Sequence, residues 1–218
     1  MPDFYDLNGF PEKKTYEKLG WSKVIKPIVI CSKNIQQEVR RIRAKADVII
    51  AMGDEALNRM ASECWEVDII GSPEIHNGRD FMHQANSGID RVIALACAER
   101  GIAVELNFSN ILGSHGRKRA QILSRMAQNV RICRDCGCDM VITSGSRDKY
   151  GLRVPRDLMA FGILLGMTTE EARAAVSTNP QKILKRTEDR NNPDIILKGL
   201  KVKKWGSQKK QKKIYGWY

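Results

Sequence analysis

Three kinds of side chain in this sequence could do chemistry: imidazoles, thiols and a large excess of cations. The three histidines, His76, His83 and His115, fall in different loop-like stretches. A hydrolytic centre of two or three metal ions draws on many His and carboxylate ligands, and this scatter points away from one. His76 and His83 could meet around a single adventitious ion. Otherwise an isolated His in a basic loop reads as a surface residue or a nucleic-acid contact. Cys133, Cys136 and Cys138 form the densest group of thiols. Tetrahedral zinc takes four ligands, commonly as two close pairs, and no second group answers this one. Cys31, Cys64 and Cys97 stand singly, spaced as small apolar core residues would be. We assign no catalytic residue and no metal ligand, and read the cysteines as ordinary reduced thiols.

The cations are organised. In the stretch Val141 to Leu158, an apolar β-branched run is broken by Thr143-Ser144-Gly145-Ser146, and Pro155 then marks a helix start. Arg147, Lys149, Arg153 and Arg156 crowd this connection. In parallel α/β folds the strand-to-helix connections make the functional face. Two groups in the body are expected to meet a polyanion: Arg117, Lys118, Arg119 and Arg125 near the start of a long helix, and Lys149, Arg153, Arg156, Lys185 and Arg186 near or after the last strand. Basic residues oppose the macrodipole at a helix N-terminus, so their crowding there suggests an outside anion. A solvated helix face is the plainer alternative.

The formal net charge is +12. Residues 186–218 carry ten Lys or Arg against three Asp or Glu, and the remainder 27 against 22. A moderately basic body with a strongly basic tail points to nucleic acid first and an anionic membrane surface second. No apolar run approaches the roughly 18 residues that cross a bilayer, and no signal peptide opens the chain. A soluble, cytoplasmic protein is expected. The tail sets lysines, Lys203 and Lys204 among them, beside Trp205, Tyr215, Trp217 and Tyr218. Cations for phosphates and rings for unpaired bases would make it an RNA-binding arm.

Around these residues the chain alternates strand with helix. Strands are expected at 4–7, 27–31, 47–52, 67–70, 104–108 and 140–143, with a weak one at 80–82. Helices are expected at 12–19, from Ser32 or Asn34 to 46, at 53–63, 89–100, 116–135, 155–165, 169–176 and 180–185. In the long helix, Ala120, Leu123, Ala127 and Val130 share an apolar face, with Lys118, Gln121 and Arg125 away from it. Short, continuously apolar strands alternating with helices mean an α/β fold with a parallel sheet. A TIM-like barrel is the first choice and a doubly wound open sheet the second.

Several spaced segments also carry a resemblance: Tyr5-Asp6-Leu7-Asn8, Gly71-Ser72-Pro73, Ala103-Val104-Glu105-Leu106-Asn107-Phe108, Ile142-Thr143-Ser144 and Val154-Pro155-Arg156-Asp157-Leu158. Together they resemble the archaeal ribonuclease P protein component 3 family, relatives of the thirty-kilodalton subunit of eukaryotic ribonuclease P. The likeness covers most of residues 1–186, taken as one domain; residues 187–218 are a basic, flexible extension to which it does not reach. It implies a TIM-barrel-like β/α barrel of about seven strands, related to the polymerase-and-histidinol-phosphatase (PHP) metal hydrolases. It also implies a protein subunit of the RNA enzyme that removes the 5′ leader of precursor tRNA. The RNA would carry the chemistry with its own Mg2+, and the protein would need no cofactor. Implied partners are ribonuclease P RNA, ribonuclease P protein component 2, other proteins of the complex and, through the complex, precursor tRNA. PHP hydrolases carry His-x-His after the first strand. Here Asp6-Leu7-Asn8 stands there, and Ser144-Gly145-Ser146 replaces a late acidic and histidine pair. Two alternatives stay open: a metal-dependent phosphoesterase and a generic basic RNA-binding protein.

Overall fold

The apolar runs become parallel strands. In a computed structural model that describes residues 3–197 and 200–206, β1 (Tyr5–Asp6) pairs with β2 (Lys23–Val24). A second parallel sheet runs β3 (Ile28–Ile30), β4 (Ile49–Ala51), β5 (Ile69–Ile70), β6 (Ala103–Asn107) and β7 (Met140–Thr143) in that order. β2 and β3 are two halves of one passage of chain. Ile25 N–H donates to Asp6 O at 2.8 Å, whereas beyond Pro27 the Ile28 N–H donates to Val48 O at 3.0 Å. Pro27 has no N–H to give, and it stands where the chain changes partner. The circuit closes on the far side through a side chain: Asp6 accepts from the backbone N–H of Ser144 at 3.2 Å and from its hydroxyl. The result is a TIM-barrel-like α/β fold.

Alternation along the strands splits the core in two. Ile49, Ala51, Ile70, Val104, Leu106 and Ile142 point outward into the main cluster beneath the helices. Ile50, Ile69, Ala103 and Val141 point inward with Leu7, Ile25 and Val48. Both faces are dry, which is why these strands read as unbroken apolar runs.

The helices are α1 (Lys13–Lys18), α2 (Ile35–Ile42), α3 (Glu55–Glu63), α4 (Arg91–Arg100), α5 (Phe108–Leu112), α6 (Gly116–Cys136), α7 (Pro155–Leu164), α8 (Thr169–Val176) and α9 (Thr178–Asn191). Their ends follow local chemistry. Asp54 and Asp90 accept from Leu57 N–H (2.9 Å) and Ile93 N–H (2.7 Å) as N-caps. Thr168 and Glu171 form a complete capping box. Gly137, at φ 68°, closes α6 in the left-handed region.

Four expectations need correction. Residues 80–82 are loop, not strand, because Asp80 is taken up by side chains of α6. The buried face of α6 runs through Ile122, Met126, Val130 and Cys133 and includes Arg125, while Ala120 is exposed. The last helix is longer than expected: α9 starts at Thr178, crosses residue 186 and ends at Asn191. Cys31 is exposed rather than core. The elements β2 and α5, and the antiparallel hairpin of β8 (Ile195–Leu197) with β9 (Leu200–Lys201), were not foreseen. α9 covers the N-terminal end of the barrel. Ile183 joins the inner cluster, and Arg190 forms a two-pronged pair with Asp68 at 2.9 and 3.1 Å, both side chains buried. No helix of the described residues is long and apolar enough to cross a membrane.

Candidate nucleic-acid interface

With one end of the barrel covered, the C-terminal strand ends form the open pole. Three buried carboxylates, Asp6, Glu74 and Glu105, lie at its floor. Glu105 accepts from Asn8 Nδ2 (2.7 Å), Thr143 Oγ1 (2.7 Å) and Ser72 Oγ (3.3 Å). Asp6 holds Ser144 and also accepts from Asn8 N–H at 3.1 Å. Glu74 takes Asn110 Nδ2 at 2.8 Å, and its other oxygen, Oε2, is buried with no hydrogen-bond partner among the described residues. Burial pushes Asp6 up to about 6 and Glu74 up to about 8, and it raises Glu105 as well. Hydrogen bonds to neutral donors oppose this at all three. Backbone geometry is tight here too. Ser72 sits at φ 45°, a strained value for a non-glycine residue, with its hydroxyl on Glu105. Gly145, at φ 60°, lies where a Cβ would come within 2.0 Å of Asn107 Oδ1.

These carboxylates are fastened to Ser, Thr and Asn rather than grouped as ligands. Among the described residues, no group of three or more His, Cys, Asp or Glu is set to hold a metal ion. His76 turns back on its own loop, accepting from Gly78 N–H (2.9 Å) at Nδ1 and bonding Asn86 O (2.8 Å) through Nε2. Cys97, Cys133 and Cys138 meet in the core: the hydrogen bond with Cys138, together with burial, raises the thiols of Cys97 and Cys133.

Above the floor lies a cleft of about 440 Å³, lined by Ser109, Asn110, Ser144 and Ser146 with Lys118 and Arg147 on its walls. An adjoining hollow of about 570 Å³ reaches Asn8 and Lys26. Hydroxyls, amides and cations around a concave surface suit phosphate and sugar oxygens. Arg117 and Lys118 are exposed, in the first turn of α6, which has no acidic residue and no side-chain cap. Arg119 bends back to Ser114 O at 2.7 Å.

Arg125 does not belong with them, contrary to expectation. It is 3% exposed and its guanidinium is spent on Asp80 (2.8 Å) and on the carbonyls of Glu74 (3.0 Å) and Gly78 (2.6 Å). The second expected group is split. Lys149 and Arg156 are exposed on the β7–α7 side, and Arg153 donates to Tyr150 O (2.9 Å) and Leu152 O (2.8 Å) beside the Phe108 ring. Lys185 and Arg186 belong to α9 at the other end, where Arg186 donates to Gly101 O (2.6 Å), Val67 O (3.3 Å) and Trp65 O. Lys203 and Lys204 are exposed past the hairpin, beside Trp205, whose Nε1 donates to Asp194 at 2.7 Å. The rest of the expected aromatic and lysine arm, residues 207–218, lies outside the described residues. Glu105 and Asn110 were not among the expected site residues, and Arg147 was noted in its connection without being placed in either group. A carboxylate inside an apolar strand was the available signal for Glu105.

The model for the family described as RNase P subunit p30 matches residues 9–192. Ribonuclease P protein component 3 of Methanosarcina mazei is 33% identical over 165 residues, covering 75% of this chain and 65% of the relative. That of Methanothermobacter thermautotrophicus is 30% identical over 166 residues, covering 76% and 64%. The chain thus spans just under two thirds of the length of these curated relatives. Among solved structures, a chain in the cryo-EM structure of archaeal ribonuclease P with mature tRNA superposes with a TM-score of 0.63 at 27% identity. That match covers 85% of this chain and 80% of that one. The fold, the matched span and these relatives agree: the chain belongs to the RNase P subunit p30 family.

Proposed function

We propose that this protein is an RNA-binding subunit of ribonuclease P, contributing positive charge and shape to an RNA that carries the cleavage chemistry with its own Mg2+. The observation behind this reading is the open pole. Its carboxylates are tied up by neutral donors, while exposed cations line the cleft above them. Phosphates drawn together in a folded RNA repel one another, and fixed cations offset that repulsion and release counterions. Precursor tRNA would be met through the complex. Ribonuclease P protein component 2 and further proteins of the complex are the partners this role requires. The lysine-rich tail would add an arm along the RNA.

The test is the salt dependence of binding to ribonuclease P RNA. The double variant Lys118→Ala/Arg147→Ala should bind more weakly and lower the slope of log K against log salt by about one for each phosphate no longer neutralised. An unchanged slope would remove the cleft from the interface. Preference for ribonuclease P RNA over an unrelated structured RNA separates this reading from a generic polyanion binder.

A further inference from the structure

The loop between β5 and α4 carries an exposed apolar tip that the fold leaves unused. Phe81 is 63% exposed and Met82 is 91% exposed. Arg79 and His83, on either side, are exposed as well. Asp80, also at the surface, is tied back to α6 and its own loop by three donors: Gln121 Nε2 at 2.6 Å, Arg125 Nε at 2.8 Å and Asn86 N–H at 2.9 Å. Phe81 N–H donates to Gln84 O at 2.9 Å, closing the tip. The base of the loop hangs on Arg125 through the carbonyls of Glu74 and Gly78. Burying a guanidinium costs several kcal/mol before its partners offset it. Here that cost goes into fixing a segment whose two largest apolar side chains face solvent.

What lies beside the tip identifies its occupant. Gln121 anchors the loop to α6, and Arg117 sits one helical turn before Gln121 on the same face, next to Lys118. Among the described residues neither Arg117 nor Lys118 is in an ion pair. A rigid ring and a polarizable thioether flanked by uncommitted cations is the chemistry of a stacking platform with phosphate contacts alongside. We propose that Phe81, supported by Met82, stacks on an unpaired base of the bound RNA, with Arg79, Arg117 and Lys118 holding the neighbouring phosphates. This rests on the RNA-binding reading above and adds to it a class of ligand: a single-stranded or bulged segment rather than a duplex.

The experiment compares wild type, Phe81→Ala and Phe81→Trp, as full-length protein, in binding three probes. These are a short single-stranded RNA, the same backbone with abasic sites, and a duplex of equal length. Phe81→Ala should weaken single-strand binding about tenfold with an unchanged salt slope, and Phe81→Trp should retain it. On the abasic strand and the duplex all three proteins should bind alike. Phe81 is exposed, so its replacement leaves the packing intact. Equal affinity of Phe81→Ala and wild type for the single strand overturns the proposal. So does an equal loss on the abasic strand. If Lys118→Ala still lowers the salt slope while Phe81→Ala changes nothing, RNA binding stands and stacking falls. If wild type binds none of the three probes, the stacking proposal falls, while the RNA-binding reading is decided by binding to ribonuclease P RNA itself. A Phe81→Ala variant that keeps its RNA affinity but no longer assembles with another protein would assign the tip to a protein contact instead.

Discussion

Residue by residue, the open pole is a set of carboxylates kept from acting as free anions. Burial raises Glu74 from its ordinary 4.5 to about 8, although the hydrogen bond from Asn110 and the charge of Arg125 pull the other way. The folded protein therefore keeps a proton that the unfolded chain releases. Stability from this group is fully present below pH 4.5 and is lost as pH rises towards about 8. Glu74→Gln, neutral at every pH, should gain on wild type by on the order of a few kcal/mol across that window, read from denaturant midpoints at its two ends. Parallel curves for the two proteins would show Glu74 to be ionised throughout. Little of this was legible in the sequence. Asp6 and Ser72 lay in segments that carried the resemblance, with no sign of the bonds they make, and Glu105 was hidden inside an apolar strand. Arg125 looked like surface charge because its partners are carbonyls of a loop distant in sequence, and sequence spacing carries no trace of such bonds.

Among the strands and helices, short-range signals served well and long-range ones did not. Apolar β-branched runs marked β3 to β7, and the expected bounds of α3, α4, α6 and α8 fall within two residues of those found, at ends capped by Asp54, Asp90, Gly137 and Thr168. β2 is only the two residues Lys23–Val24, and what makes it a strand is its pairing with β1. The polar end of α9 has no helical pattern of its own to announce it. There Arg190 meets Asp68 in the core and also donates to Glu66 O at 2.8 Å. Asp68 in turn accepts from Ile49 N–H at 2.9 Å, so the pair ties α9 to the underside of β4 and β5. Arg190→Ala leaves Asp68 buried without its cation and should lower stability by about 3–5 kcal/mol in thermal or urea unfolding. The double variant Asp68→Asn/Arg190→Met, which removes both charges, should recover part of that loss. A cost below about 1 kcal/mol for Arg190→Ala would mean that this end of α9 frays without consequence.

Across the molecule as a whole, the barrel separates two kinds of cation. Arg186 and Arg190 on α9 are drawn into carbonyls and a carboxylate and hold the structure together. Those at the open pole face outward over carboxylates held by neutral donors. Net charge alone pointed to a polyanionic partner, and the strand-and-helix rhythm pointed to the strand-end pole as the functional face. Neither could sort one set of cations from the other, since that depends on which helix covers which end. If this arrangement serves an RNA catalyst, the decisive measurement is cleavage of precursor tRNA by ribonuclease P RNA at low Mg2+, with protein component 2 present and this chain added or left out. Cleavage should be stimulated only when the RNA is present, and the protein alone should cut nothing. Failure to stimulate, together with chelator-sensitive hydrolysis of phosphate esters by the protein without RNA, would contradict that role and make the open pole an enzyme site.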